Sequence, residues 1–143
     1  MILPYRQLVL EDLLSVVPVE PIQDDPLSAY EMYRDNREAV ESTGYTVLLE
    51  SRILLCVGVH EVSPTCGHVW ATFDRDISKH LRRVVKTLRH LLDLQKFPRL
   101  QTYVREGTPN GFELVELFGF ALETPWGMRK LLGEDTWYQF SRV

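Results

Sequence analysis

From Ile77 to Leu92 the chain repeats apolar residues at Ile77, Leu81, Val84, Val85, Leu88, Leu91 and Leu92. These spacings lay the side chains along one stripe of a 3.6-residue period, so the segment is predicted as an amphipathic helix packed on a sheet. The opposite face carries Lys79, His80, Arg82, Arg83, Lys86, Arg89 and His90, with Asp76 or Ser78 as the expected N-cap. On both sides of this helix the pattern becomes that of strands, at residues 68–73 and, after the stop at Pro98, at residues 100–106. A crossover of this length joins parallel strands, and its expected hand is right.

Shorter elements flank this unit. Residues 3–8 read as an opening strand and 11–17 as a brief helix, broken by Pro18, Pro21 and Pro26. Ser28 with Glu31 forms a capping-box pattern for a helix running to about Glu41 and ended by Gly44. Residues 45–50, 53–60 and 68–73 are predicted as an antiparallel meander with short links. Residues 111–118 read as a helix closed by Gly119 at positive φ. A strand is expected at 120–123, a loop or helical turn at 125–133, and a closing aromatic strand at 136–143. The fold class is therefore α/β, or α+β in stricter usage. It is a mixed, mostly antiparallel sheet of roughly six or seven strands with helices on both faces and a central parallel strand–helix–strand unit.

With 143 residues the chain is expected to form a single domain, 1–143. No apolar run reaches membrane-spanning length, and the start of the chain lacks the uninterrupted apolar stretch of a signal peptide, so a cytoplasmic protein is expected. The net charge of −4 hides an asymmetry: acids crowd the first third, whereas bases crowd the stretch from Arg75 to Arg89. That balance disfavours general nucleic-acid binding and favours a local anionic ligand or partner. Cys56, His60, Cys66 and His68 fall on one predicted hairpin, but without metal-ligand spacing they read as core and surface residues, and no metal is expected.

The helix that opens after residue 78 presents unpaired N–H groups and a positive dipole end to the strand before it, which suits an anion. This order of elements resembles the acyl-coenzyme A core of the GNAT acetyltransferases. The resemblance implies that Trp70, Ala71 and Thr72 present backbone to the pantetheine arm of acetyl-CoA. It also implies that the turn at 74–78 takes the pyrophosphate, with Arg75, Ser78, Lys79 and Arg83 around it. The family's loop pattern falls on Phe73-Asp74-Arg75-Asp76-Ile77-Ser78, where only Ser78 fits and Asp76 stands in place of a glycine. A carboxylate there repels a pyrophosphate unless it caps the helix or meets a cation.

A second match is Pro109-Asn110-Gly111-Phe112 through Leu117-Phe118-Gly119-Phe120. By the resemblance Asn110 helps hold the cofactor arm and Phe112 faces it. Val115 stands where many members carry a proton-donating Tyr. Acyl transfer to an amine needs a base and an acid for the sulfur. His60, Glu61 and His68 are the candidate bases, and Tyr138 is a candidate acid.

Over most of its length the chain is also similar to small GNAT-like proteins of short-tailed bacteriophages, through the basic helix, Tyr103-Val104, Gly119-Phe120 and the stretch from Trp137 to Phe140. That resemblance implies a host-cytoplasmic or virion-associated protein. The leading expectation is an N-acyltransferase carrying an acetyl group from acetyl-CoA to an amine of a host or phage protein or of a small molecule. The alternatives are a catalytically degenerate GNAT-fold protein that binds a partner through the basic helix, and an early inhibitor of a host protein.

Overall fold

The computed structural model describes residues 1–16, 30–31, 33–108, 110–131 and 133–143. It contains an eight-stranded sheet in the order β1-β2-β3-β4-β5-β8-β6, with β7 on β8. By contact pattern the chain divides into two compact units, Met1–His60 with Trp70–Leu94, and Glu61–Val69 with Gln95–Val143.

In the first unit, β1 (Tyr5–Gln7) pairs antiparallel with β2 (Tyr45–Leu49), and β2 with β3 (Arg52–Ser63) through a bulge between Val47 and Leu48. The expected helix at 11–17 is a 3-10 helix at Leu10–Ser15, and residue 17 lies outside the described residues. Ser28, the expected capping residue, also lies outside them; the described part of that segment holds a 3-10 turn at Arg34–Asn36 and helix α1 at Arg37–Thr43. Leu8, Leu10, Leu13, Val16, Val40 and Cys56 form a buried cluster, with Tyr30, Tyr33, Ile53 and Trp70 packed against it. Gly44 caps the end of α1 in extended conformation, and a Cβ there would sit 2.6 Å from Leu8 Cδ2.

A buried carboxylate organises the same cluster. Asp12 accepts both guanidinium branches of Arg6 at 2.7 and 2.8 Å, the Thr46 hydroxyl at 2.7 Å and the Val9 amide at 3.0 Å. Burial pushes its pKa up, but the hydrogen bonds from Arg6, Thr46 and Val9 outweigh that and hold it below the ordinary carboxylate value.

The amphipathic segment folds as its stripe requires, with one difference. Helix α2 spans Leu81–Asp93 and buries Val84, Leu88, Leu91 and Leu92. Its predicted first turn, Ile77–His80, is 3-10, because Ile77 N bonds Asp74 O and Lys79 N bonds Asp76 O, each three residues back. The Asp76 side chain makes no capping bond there, and the N-cap of α2, His80, makes none either.

β4 (Cys66–Phe73) follows β3 after two residues, Pro64 and Thr65, a link that permits only antiparallel neighbours. In the second unit, β4 and β5 (Arg99–Arg105) pair in parallel from Cys66↔Arg99 to His68↔Gln101. β5 runs antiparallel to β8 (Thr136–Arg142) from Leu100 to Arg105. Helix α3 (Gly111–Leu117) ends with Gly119 at φ +96°, between the buried Phe118 and Phe120. β6 (Ala121–Leu122) and β7 (Met128–Arg129) both pair antiparallel with β8. The segment expected as a loop or helical turn thus contains a strand, too short for any period to reveal. Among the described residues no helix is long and apolar enough to cross a membrane.

Candidate functional site

The turn after β4 is built around Asp74. Its amide bonds Leu54 O of β3 at 2.8 Å, which draws the side chain inward to 1% exposure. The carboxylate accepts Arg52 Nη2 at 2.6 Å and the Asp76 amide at 3.0 Å. The other branch of Arg52 reaches Asp76 Oδ2 at 2.8 Å, and Lys79 lies 3.4 Å from Asp76 Oδ1. One planar guanidinium from the first residue of β3 therefore clasps two carboxylates of the turn. Its bond to Asp76 above all, then the nearby charges, raises the Arg52 pKa. The same bond, helped by Lys79, holds Asp76 below the ordinary value. The Asp76 side chain is thus neither a capping group nor a bare anion.

This arrangement takes three of the turn's backbone donors. The Asp76 amide is taken by the Asp74 carboxylate, the Ile77 amide by Asp74 O and the Lys79 amide by Asp76 O. A diphosphate entering the turn has to displace a buried, cation-paired carboxylate and approach a second one. The residues present therefore do not fit the pyrophosphate of acetyl-CoA.

The remaining residues of this segment separate by face. Arg75, Ser78, Lys79, Arg82, Arg83, Lys86 and Arg89 are exposed. Of these cations only Lys79 has a carboxylate partner among the described residues. On β4, Thr72 is buried and Ala71 half-buried, while the Trp70 ring lies 5.1 Å from that of Tyr33.

In the second unit Asn110, Phe112 and Tyr138 come together. They line an open recess of about 350 Å³ with Glu106, Thr108 and Glu113. Asn110 holds φ 55° at the N-cap of α3, and Gly111 lets the helix close on Val104, whose Cγ1 a Cβ would meet at 2.8 Å. Phe112 meets Tyr138 edge-on at 4.9 Å and Phe140 at 5.2 Å. The other candidates stand elsewhere: the His68 ring packs on Tyr103 at 5.0 Å, and exposed Glu61 pairs with Lys96 at 3.5 Å. His60 is exposed. Both carboxylates of the recess escaped the sequence analysis, as did the joining of Arg52 to Asp74. Only an acidic residue in the anion loop hinted at a cation nearby.

At the end of the parallel ladder, the next carbonyl of β4, Val69 O, is taken by the Thr102 hydroxyl at 3.0 Å. Among the described residues no group of three or more His, Cys, Asp or Glu is placed to hold a metal ion, and both cysteines are buried free thiols.

No family model matches the chain. No curated protein matches it either. Solved structures do match it in shape. A GNAT-family acetyltransferase from Bacillus anthracis is similar over 100% of this chain and 98% of its own, at 11% identity and TM-score 0.70. A chimera of the Vibrio cholerae spermidine N-acetyltransferase SpeG with hSSAT is similar over 100% of this chain and 96% of its own, at 13% identity and TM-score 0.70. The ribosomal-protein-S18-alanine N-acetyltransferase of Escherichia coli is similar over 97% of this chain and 92% of its own, at 15% identity and TM-score 0.67. Coverage this complete in both directions, at identities this low, establishes architecture: this chain has the fold of the GNAT N-acetyltransferases.

Proposed function

We propose that this chain is a GNAT-fold binding protein that docks an acidic polypeptide segment on the exposed face of α2. The observation that carries the reading is the row Arg82, Arg83, Lys86 and Arg89, exposed cations without a carboxylate partner among the described residues. A row of cations on one rigid helix suits a chain of carboxylates, and charge complementarity of this kind sets partner choice and association rate. With a net charge of −4, repulsion grows with the length of a bound polyanion, so a short acidic segment is a better match than DNA. The clasped turn and Val115, which has no proton to give, support binding over acetyl transfer. A virion-associated role alongside a phage or host protein partner, as the phage resemblance implies, agrees with this reading.

The acetyl-CoA-dependent N-acyltransferase is the second reading. It is favoured by the Thr102 hydroxyl replacing a ladder bond at Val69 O just where the parallel pairing ends. Its acceptor is an amine of a protein or a small molecule.

Calorimetric titration separates them. A poly-glutamate peptide is expected to bind with strong salt dependence, and Arg82→Glu/Arg83→Glu is expected to weaken it about tenfold or more without lowering the melting temperature. Acetyl-CoA at millimolar concentration is expected to give no saturable heat. Micromolar acetyl-CoA binding, or duplex DNA held more tightly than the peptide, overturns the proposal.

A further inference from the structure

We infer that the Asp74 carboxylate is a built-in substitute for a ligand's phosphate, so that the turn from Asp74 to Lys79 is held by the chain itself in the shape an anion would impose. The inference deepens the proposed function, since it supplies the physical reason why this turn does not take a diphosphate, but it stands on separate residues.

An anion bound at the start of a helix collects backbone N–H groups and a nearby guanidinium. Asp74 does both. It receives the Asp76 amide at 3.0 Å and Arg52 Nη2 at 2.6 Å, while its side chain keeps only 1% exposure. Its own amide is fixed to Leu54 O at 2.8 Å, so the carboxylate is delivered by the end of β4 and does not hang from a loose loop. Arg52, the first residue of β3, is half exposed and is held by its second branch on Asp76 at 2.8 Å. The two anchors lie 22 residues apart in sequence, and each comes from a strand end. A surface ion pair would compete poorly with an incoming phosphate, but a carboxylate buried this deeply is an intramolecular ligand at high effective concentration.

On this inference the charge of Asp74 closes the turn. Asp74→Asn keeps the size and one acceptor oxygen, and removes the anion. Asp76→Gly removes the outer carboxylate and leaves the inner one in place. Titration with inorganic pyrophosphate, read at the backbone amides of residues 76–79 by NMR, distinguishes the two positions. Asp76→Gly is expected to behave as wild type, with no saturable shift at those amides. Asp74→Asn/Asp76→Gly is expected to gain binding by about tenfold or more, with the side chain of Arg52 shifting as well.

A folded double variant that binds no better than wild type overturns the inference and leaves the docking proposal intact. Wild type that binds pyrophosphate at residues 76–79 overturns both. Should the double variant fail to fold, amide exchange of Arg52→Gln decides. The Asp76 amide is expected to exchange about tenfold faster than in wild type, and an unchanged rate rejects the clasp.

Discussion

The indole of Trp70 lies directly over Gly58, so close that a Cβ on the glycine would stand 2.5 Å from Cε2 of the ring. Gly58 is therefore a packing requirement in the middle of β3, where glycine otherwise weakens a strand. Gly58→Ala is expected to destabilise by about 1–3 kcal/mol, the usual cost of overfilling a packed site. In a Trp70→Leu background the same change is expected to cost clearly less. Urea unfolding of the four proteins of this cycle measures the coupling, and strictly additive effects would show that the two residues do not meet.

Thr87 fastens the start of the chain to α2. Its hydroxyl receives the Leu3 amide at 2.7 Å and donates to Arg83 O at 2.7 Å, and both Leu3 and Thr87 are buried. Thr87→Val keeps the shape but leaves the Leu3 amide without an acceptor, for an expected loss of about 1–3 kcal/mol. Thr87→Ser is expected to recover most of it. Chemical denaturation of both variants tests this, and equal stabilities would sink it.

Glu123 predicts a pH dependence. Its bonds to Arg99 first, then to Ser141 and Gln139, lower its pKa from 4.5 to about 2. The folded value is depressed, so this contribution is whole above the unfolded value of 4.5 and drains away as the pH falls towards about 2. Glu123→Gln is expected to flatten the acid limb of the stability profile over that window and to change little above it. Urea midpoints measured across the window check the slope.

Cys56 is expected to be inert in the native protein. Burial pushes its thiol up to about 12, so very little thiolate exists at neutral pH. In a Cys66→Ser background, labelling by a thiol reagent is expected only after unfolding, and prompt labelling of the folded protein would contradict the buried position.

Much of this architecture was legible in the chain because the relevant signals are periodic and local. The stripe from Ile77 to Leu92 gave the helix, its crossover length gave the parallel strands, and Gly119 marked a left-handed stop. What stayed hidden depends on distant neighbours. The clasp joins residues 52 and 74, which no spacing rule connects. The first turn of the basic helix is 3-10, and there the Asp76 side chain meets Arg52 and makes no capping bond. Strand β7 exists only because β8 pairs with it. Asn110, Phe112 and Tyr138 were each singled out, but their shared recess and its carboxylates needed the fold.

The bond from Leu3 to Thr87 spans 84 positions. On a translating ribosome the opening strand can pair with β2 once residue 49 has emerged, but the Leu3 amide must wait for Thr87 of the basic helix. Chains halted before residue 87 are predicted to lack this fastening and to leave the Leu3 amide open to rapid exchange.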